Sequence, residues 1–419
     1  MAPDARSSSE LAAWMEALRQ APDMRVDRIA FGQCAPWIVD GKTIARTDAR
    51  FFALSCPEEG KILVEQPEVG LLAFVLVEGA GAPHVVIHAK DEPGNLFLTQ
   101  LAPTVQATRS NFERVHGGRK TPMLENLFQC GRVLSDTMQS EHSAHFWRKR
   151  NRNAAVLLQP EYVHLDKRLR VFPMRELLSL CLTDHAVNTD ARSVLATAPW
   201  SALTEDEPFS RSFDHFGRLL RESYAARARE EAAAEFLARH RGPLREESIF
   251  RKPLQLTPEA MAWGTADQAY FVAVRASTRE VVAWNQPILA PAFEDRQVLV
   301  GRHGEAGLEF LLRIESSKAL FCSAEFAPTL SGDKEFAKFG EIGQEIAVLR
   351  QTDEGGRFWR AVCRYEIRLL PEADRGDALA EAVRPACWVT LRQLETLAAR
   401  ELTTTNELRT LVSMLLYWL

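Results

Sequence analysis

QSEHSAHFWRKRNR occupies residues 139–152, and 212 positions further on QTDEGGRFWRAVCR occupies residues 351–364. Phe146, Trp147, Arg148 and Arg152 return there as Phe358, Trp359, Arg360 and Arg364. Four more anchors recur in the same order. FFAL at Phe51 meets FVAV at Phe271, and EQP ending at Pro67 meets NQP ending at Pro287, both 220 apart. LAPT from Leu101 meets FAPT from Phe326 at 225, and MREL from Met174 meets LRQL from Leu391 at 217. An ordered ladder with small gaps is the mark of a tandem duplication. Two copies are too few for a solenoid, so a pseudo-symmetric pair is expected.

The runs between the anchors set the class of each copy. Residues 51–55, 61–65, 70–77 and 84–90 are apolar and of strand length, divided by Gly, Pro and acidic residues. Residues 9–21 place Leu11, Trp14, Met15 and Leu18 on one helical face behind capping serines. Residues 174–182, 189–196 and 213–241 also read as helical, with Asn188 or Thr189 capping the second and Asp190 favouring its N-terminal dipole. The expected fold is α+β in two similar halves, residues 1–200 and 211–419, with 197–210 (TAPWSALTEDEPFS) as linker.

Residues 88–118, HAKDEPGNLFLTQLAPTVQATRSNFERVHGG, match neither a plain core element nor a plain solvated loop. Unpartnered donors and acceptors are costly to bury, and a solvated loop carries more Lys, Glu and Asp. Neutral amides, hydroxyls and arginines packed together suit a polar, phosphate-bearing ligand. The repeat acts as a filter on this segment. At an offset of 225, Lys90 becomes Glu315, Glu92 Ser317, Asn95 Leu320, Gln106 Ser331, Thr108 Asp333 and His116 Glu341, whereas Thr104 stays as Thr329. Residues kept in both copies serve the fold, and polar residues kept in one copy are candidates for chemistry. The active pocket is therefore expected in the first half and a degenerate one in the second.

Composition narrows the classes. Of 419 residues, 46% are hydrophobic and 26% charged, with a net charge of −5, as in a folded, non-membrane protein that is no general nucleic-acid binder. FWRKRNRN is too short, in too acidic a chain, to read as a nucleic-acid patch. The seven cysteines include no CxxC pair, and no His/Cys cluster has zinc spacing, so neither a disulfide framework nor a metal site is expected. The N-terminus has no apolar core and no run spans a membrane, so a cytoplasmic protein is expected.

EQPEVG (65–70), KDEPGN (90–95), LAPTVQATRSNF (101–112), RVHGG (114–118), QSEHSAHFWRKRNRN (139–153) and VNTDARSVL (187–195) together closely resemble the signatures of NDP-hexose 2,3-dehydratases, lyases of deoxysugar and natural-product biosynthesis. The resemblance spans nearly the whole chain. It implies tandem Nudix-like halves, a homodimer, dTDP-4-keto-6-deoxyglucose as substrate, and one working pocket per chain. The sequence departs where the family usually has Tyr (Phe112) and where Gly is common (Ser143), and its second half lacks the EPGN and TVQAT elements. No Nudix hydrolase box is present. A non-catalytic sugar-nucleotide binder and a hydrolase are the competing readings.

The implied reaction removes the C3 proton, acidified by the C4 ketone, and expels the C2 hydroxyl to give a 3,4-diketo-2,6-dideoxy sugar nucleotide, which a 3-ketoreductase would then consume. It needs a base, an oxyanion partner and an acid, and no cofactor, because the ketone is the electron sink. Lys90 is the candidate for the enolate oxygen, or for tuning a neighbouring group. Glu92 or Glu141 is the base with His116 as acid, or the reverse. Gln66, Thr104, Gln106, Thr108 and Asn111 are candidates for hydrogen bonds to sugar or nucleobase, Asn95 for shaping the substrate pocket, and Trp37, Phe112 and Trp147 for stacking on the base. Arg109, Arg114, Arg148, Arg150 and Arg152 are the diphosphate candidates, since guanidinium forks match phosphate oxygens. Gly94 is expected to let backbone approach the ligand.

Overall fold

The computed structural model describes residues 9–48, 52–55, 62–78, 81–113, 120–211, 214–226, 231–242, 259, 262–263, 270–278, 282–291, 294–304, 307–340 and 342–419. His116 and Arg114 lie outside them.

Two seven-stranded sheets carry the fold. The first comprises β1 (Gly70–Val77), β2 (His84–Asp91), β3 (Thr99–Ala102), β4 (Val105–Thr108), β5 (Arg132–Ser140), β6 (Arg150–Leu158) and β7 (Leu169–Pro173). The second comprises β8 (Asp295–Gly304), β9 (Gly307–Ser316), β10 (Ala324–Ala327), β11 (Leu330–Ser331), β12 (Gln344–Thr352), β13 (Val362–Leu369) and β14 (Ala386–Thr390). Each strand of the first has its counterpart seven labels on. β1 lies parallel to β6, and β8 lies parallel to β13. β5 and β12 bulge at matching places, past Val133 and Glu345. Left-handed residues recur too: Leu98 with Ser323, Arg148 with Arg360, His185 with Leu402. The duplication read from the sequence is thus drawn twice in topology. β1 is apolar at almost every position because both of its faces are covered.

Helices fill the space between the sheets. They include α1 (Glu10–Gln20), α2 (Arg109–Phe112), α3 (Met174–Ser179), α4 (Thr189–Thr197), α5 (Leu391–Ala399) and α6 (Asn406–Leu415), besides others in both halves. Ser9 caps α1 through Ala12 N, and Leu11, Trp14 and Met15 are buried. Asn188 caps α4 and Thr405 caps its counterpart α6, and these two helices pack on one another. One apolar cluster joins Leu72, Phe74 and Ile87 of the first sheet to Leu299, Phe310 and Leu312 of the second through Val194, Leu195, Leu411 and Leu415. The halves share a core. Among the described residues no helix is long and apolar enough to cross a membrane.

Three expectations change here. The 197–210 stretch is packed: Trp200 and Phe209 are fully buried and lie 5.9 Å apart, ring to ring. The 213–241 run forms two helices, His215–Ala225 and Glu231–His240. The FFAL/FVAV and EQP/NQP anchors are out of register. Val64 bridges Phe146 and Leu289 bridges Phe358, so Val64 corresponds to Leu289, 225 on; Leu54 pairs Val64 as Phe271 pairs Leu289, so Leu54 corresponds to Phe271, 217 on. Short alternating runs look alike at several registers, and an odd shift turns every side chain to the other face.

Candidate active site

The site grows from the turn that follows β2. Gly94 N donates to Gly355 O at 2.8 Å, and Arg360 N donates to Gly94 O at 2.7 Å. The counterpart bond, Arg148 N to Ala319 O, is also 2.8 Å. Each half's Phe-Trp-Arg loop therefore docks on the other half's turn. A Cβ on Gly94 would stand 1.7 Å from Phe358 O, so the backbone that approaches this glycine belongs to the opposite half and not to a ligand.

Beside that turn runs a ladder of side chains. Lys90 Nζ stands 3.2 Å from Glu92 Oε1. Gln106 Nε2 donates to the same oxygen at 3.0 Å, and Asn188 Nδ2 donates to Gln106 Oε1 at 3.0 Å. Asn188 Oδ1 meanwhile accepts from Ala191 N, so the helix cap and the ladder share one residue. Asp190, in the first turn of α4, is buried. Glu141 Oε1 accepts from Asn406 Nδ2 at 2.8 Å, across the halves. Lys149 Nζ donates to Glu68 O at 2.5 Å, and Arg357 Nε donates to Gln66 Oε1 at 3.1 Å. Glu92 Oε2, Glu141 Oε2 and Asp190 Oδ1 are buried with no protein partner. Buried oxygens of this kind await a ligand or water.

The charges perturb one another. Burial raises the Glu141 carboxyl, with His142 opposing and Glu354 reinforcing. Burial raises the Asp190 carboxyl well above the usual range, and the carboxylates of Glu354, Glu141 and Glu92 add to it. Burial pulls the Lys149 ammonium down to about 8, against the pull of Glu354 and Glu141. The arrangement brings basic side chains and two carboxyls biased toward their protonated form into one place, as proton-transfer chemistry requires.

Several sequence candidates have other tasks. Thr104 is fully buried; its hydroxyl accepts from Val75 N at 2.9 Å and donates to Val86 O. Thr329 does the same between Val300 N and Leu311 O, which is why both copies keep the threonine. Trp37 is buried and gives its indole N–H to Asn285 O. Asn95 Nδ2 donates to Leu98 O within its own turn. Arg109 is exposed and paired with Glu113 at 2.6 Å. Arg150 stacks 3.7 Å from the Phe321 ring, Arg152 forks onto Asp136, and Arg148 Nε donates to Lys318 O. Strand alternation explains Arg150 and Arg152: they share the outer face of β6, whereas Asn151 and Asn153 face inward. Lys149, in phase with those asparagines, is buried in the cluster. Thr108, Asn111, Phe112 and Trp147 are half-buried, and Thr108 Oγ1 is 3.1 Å from Ser110 Oγ.

Lys149, Asn188, Asp190, Glu354, Arg357 and Asn406 were not singled out as site residues. For Lys149 the signal was available, since period two separates it from the flanking arginines. For Glu354, Arg357 and Asn406 none was, because they come from the second half. The position equivalent to this cluster in the second half is also charged. His142 Nδ1 lies 3.0 Å from Glu407, the counterpart of Asp190, and His142 Nε2 lies 3.7 Å from Asp353, the counterpart of Glu141. Burial alone would lower His142, but Asp353 and Glu407 carry it up to about 10. Burial pushes Asp353 up to about 7, with His142 opposing. Ser143 Oγ donates to Glu315 Oε1 at 2.7 Å.

Known proteins match this chain over most of its length. A model of the NDP-hexose 2,3-dehydratase family matches residues 8–198 and 264–415, one block in each half. A dTDP-4-dehydro-6-deoxy-alpha-D-glucopyranose 2,3-dehydratase of Saccharopolyspora spinosa is 30% identical, over 92% of this chain and 87% of its own length. Proteins of the same name from Streptomyces violaceoruber (28% identical, 91% of each chain) and Amycolatopsis orientalis (29%, over 97% of this chain and 89% of its own) are also similar. With both halves matched and the similarity running nearly end to end, this chain belongs to the NDP-hexose 2,3-dehydratase family.

Proposed function

We propose that the protein removes the C2 hydroxyl of dTDP-4-keto-6-deoxyglucose, giving a dTDP-3,4-diketo-2,6-dideoxyhexose. The observation that carries this reading is the ladder from Asn188 through Gln106 to Glu92 and Lys90, set beside the raised carboxyl of Asp190. Elimination next to a ketone needs a fixed cation for the enolate oxygen and a protonated acid for the leaving hydroxide. Lys90, locked by Glu92, serves the first need. Asp190, kept protonated by burial and neighbouring carboxylates, serves the second. Glu92 has its Oε1 committed to two donors, which suits it to anchor Lys90 rather than to move a proton. Thr108, Asn111, Phe112 and Trp147 remain the candidates for contact with sugar and thymine.

The same reading takes the halves as Nudix-like, the protein as a cytoplasmic homodimer, and a 3-ketoreductase as the enzyme that uses the product. The test is incubation of the protein with dTDP-4-keto-6-deoxyglucose, a 3-ketoreductase and NADPH, followed by mass spectrometry. A 2-deoxy sugar nucleotide is expected. Substrate returned with no water lost would sink the proposal, and release of a sugar phosphate would mark a hydrolase. Lys90→Met should lower kcat by about 10²–10³ with KM nearly unchanged, as for loss of an oxyanion partner.

A further inference from the structure

Glu354 sits on the turn that the second half lays over residues 92–95 of the first. Of the charges acting on Asp190 its carboxylate is the strongest, and it is also the strongest acting on Lys149. Its neighbour Gly355 accepts from Gly94 N and is packed so closely that a Cβ there would stand 2.2 Å from Asn95 Oδ1, so the turn lies against the first-half cluster although it belongs to the second half. The other carboxylates there are buried, and Glu92 and Glu141 each have one oxygen held by protein donors. Glu354 is half-buried, and among the described residues its carboxylate has no hydrogen-bond partner.

The duplication supplies a control within the molecule. Position 354 corresponds to 142, where the other half carries His142. There the side chain reaches the carboxylate at the head of α6, 3.0 Å away, and closes on it as an ion pair. The same reach at the first site brings Glu354 toward Asp190 at the head of α4. A histidine in that position is neutralised by its neighbour. A glutamate cannot pair in that way, and it sets a second carboxyl group beside the one that burial raises. Two carboxyl groups in unlike surroundings divide into a base and an acid.

We propose that Glu354, delivered across the pseudo-twofold axis by the second half, is the base that takes the C3 proton in the first-half site. The proposal rests on the dehydratase reading above. Glu354 takes the proton, and the C3–H electron pair becomes the C3=C4 bond as the ketone oxygen gains charge facing Lys90. The enolate then re-forms the C4 ketone, makes the C2=C3 bond and breaks the C2–O bond. Asp190 gives its proton to the departing hydroxide, which leaves as water. The enol at C3 passes its hydroxyl proton to Asp190, and C2 takes the proton from Glu354, so both residues are reset and no external reactant is needed.

The test follows the C3 hydrogen of dTDP-4-keto-6-deoxyglucose in D₂O by NMR, alongside dehydration, in the full-length protein. Glu354→Gln should lose both C3 exchange and dehydration by about 10²–10⁴, while its affinity for dTDP stays within about threefold. Asp190→Asn should keep C3 exchange and lose dehydration. Glu354→Ala should regain part of its C3 exchange with added formate, and Glu354→Asp, which alters least, guards against a folding defect. Wild-type exchange rates in Glu354→Gln, or exchange in Glu354→Ala indifferent to formate, would overturn the assignment. If the wild-type protein itself releases no water, it is the dehydratase reading that fails; if wild type and Glu354→Gln dehydrate alike, only the role of Glu354 fails.

Discussion

At the scale of residues, the duplication separates structural from chemical polarity only when each side chain's partner is known. Thr104 and Thr329 make the same two backbone bonds in their halves. Thr104→Val and Thr329→Val should each destabilise the protein by about 1–3 kcal/mol, because each leaves a buried N–H without its acceptor. Urea unfolding checks this. Equal losses with unchanged KM are expected, and a rise in KM for Thr104→Val alone would return that threonine to the substrate. The Arg150 and Arg152 side chains carry the complementary lesson. Composition made them phosphate ligands, but alternation turns them from Lys149 and gives them Phe321 and Asp136.

At the scale of elements, the device that builds the site is the docking of one half's Phe-Trp-Arg loop on the other half's turn. It depends on Gly94, which has no room for a Cβ beside Phe358 O. Gly94→Ala should cost about 1–3 kcal/mol or more, as overpacking does, and it should lower kcat further because Glu354 rides on the displaced loop. Thermal melting and a kcat measurement on the same sample test both effects. A fully active, equally stable variant would mean that the loops do not need this contact.

At the scale of the whole molecule, the halves are joined by charge as well as by the shared core. His142 of the first half, which is buried, and Glu407 of the second, which is half-buried, form a pair. The histidine is carried from its ordinary 6.5 up to about 10, so its contribution to stability is full below pH 6.5 and is lost as pH rises through about 10. Glu407 is opposed by burial but held by His142 at about 2, below its ordinary 4.5, so its contribution is full above pH 4.5 and is lost as pH falls through about 2. A double-mutant cycle of His142→Gln and Glu407→Gln should give a coupling of about 0.5–3 kcal/mol. It should be largest between pH 4.5 and 6.5 and should fade toward pH 10. A coupling flat across that range would show that the histidine is not charged in the folded protein.

The sequence by itself determined the α+β class, the duplication, the strands around residues 70–77 and 84–90, and the caps of α1 and α4, and it put Lys90, Glu92 and Gln106 in one polar segment. All of these are written in local spacing: period two, period 3.6, a capping residue before a helix, or one segment repeated. Only the tertiary structure decided that Asn406 holds Glu141, that Gln66 receives Arg357, and that the turn after Glu354 docks on Gly94 while His142 pairs with Glu407. The filter that compared the copies assumed that each half furnishes its own pocket. The loops cross, so residues more than 200 positions apart meet. Contacts at that separation leave no periodicity in the chain; they exist because two like halves buried their apolar faces together and laid each other's polar loops over what remained.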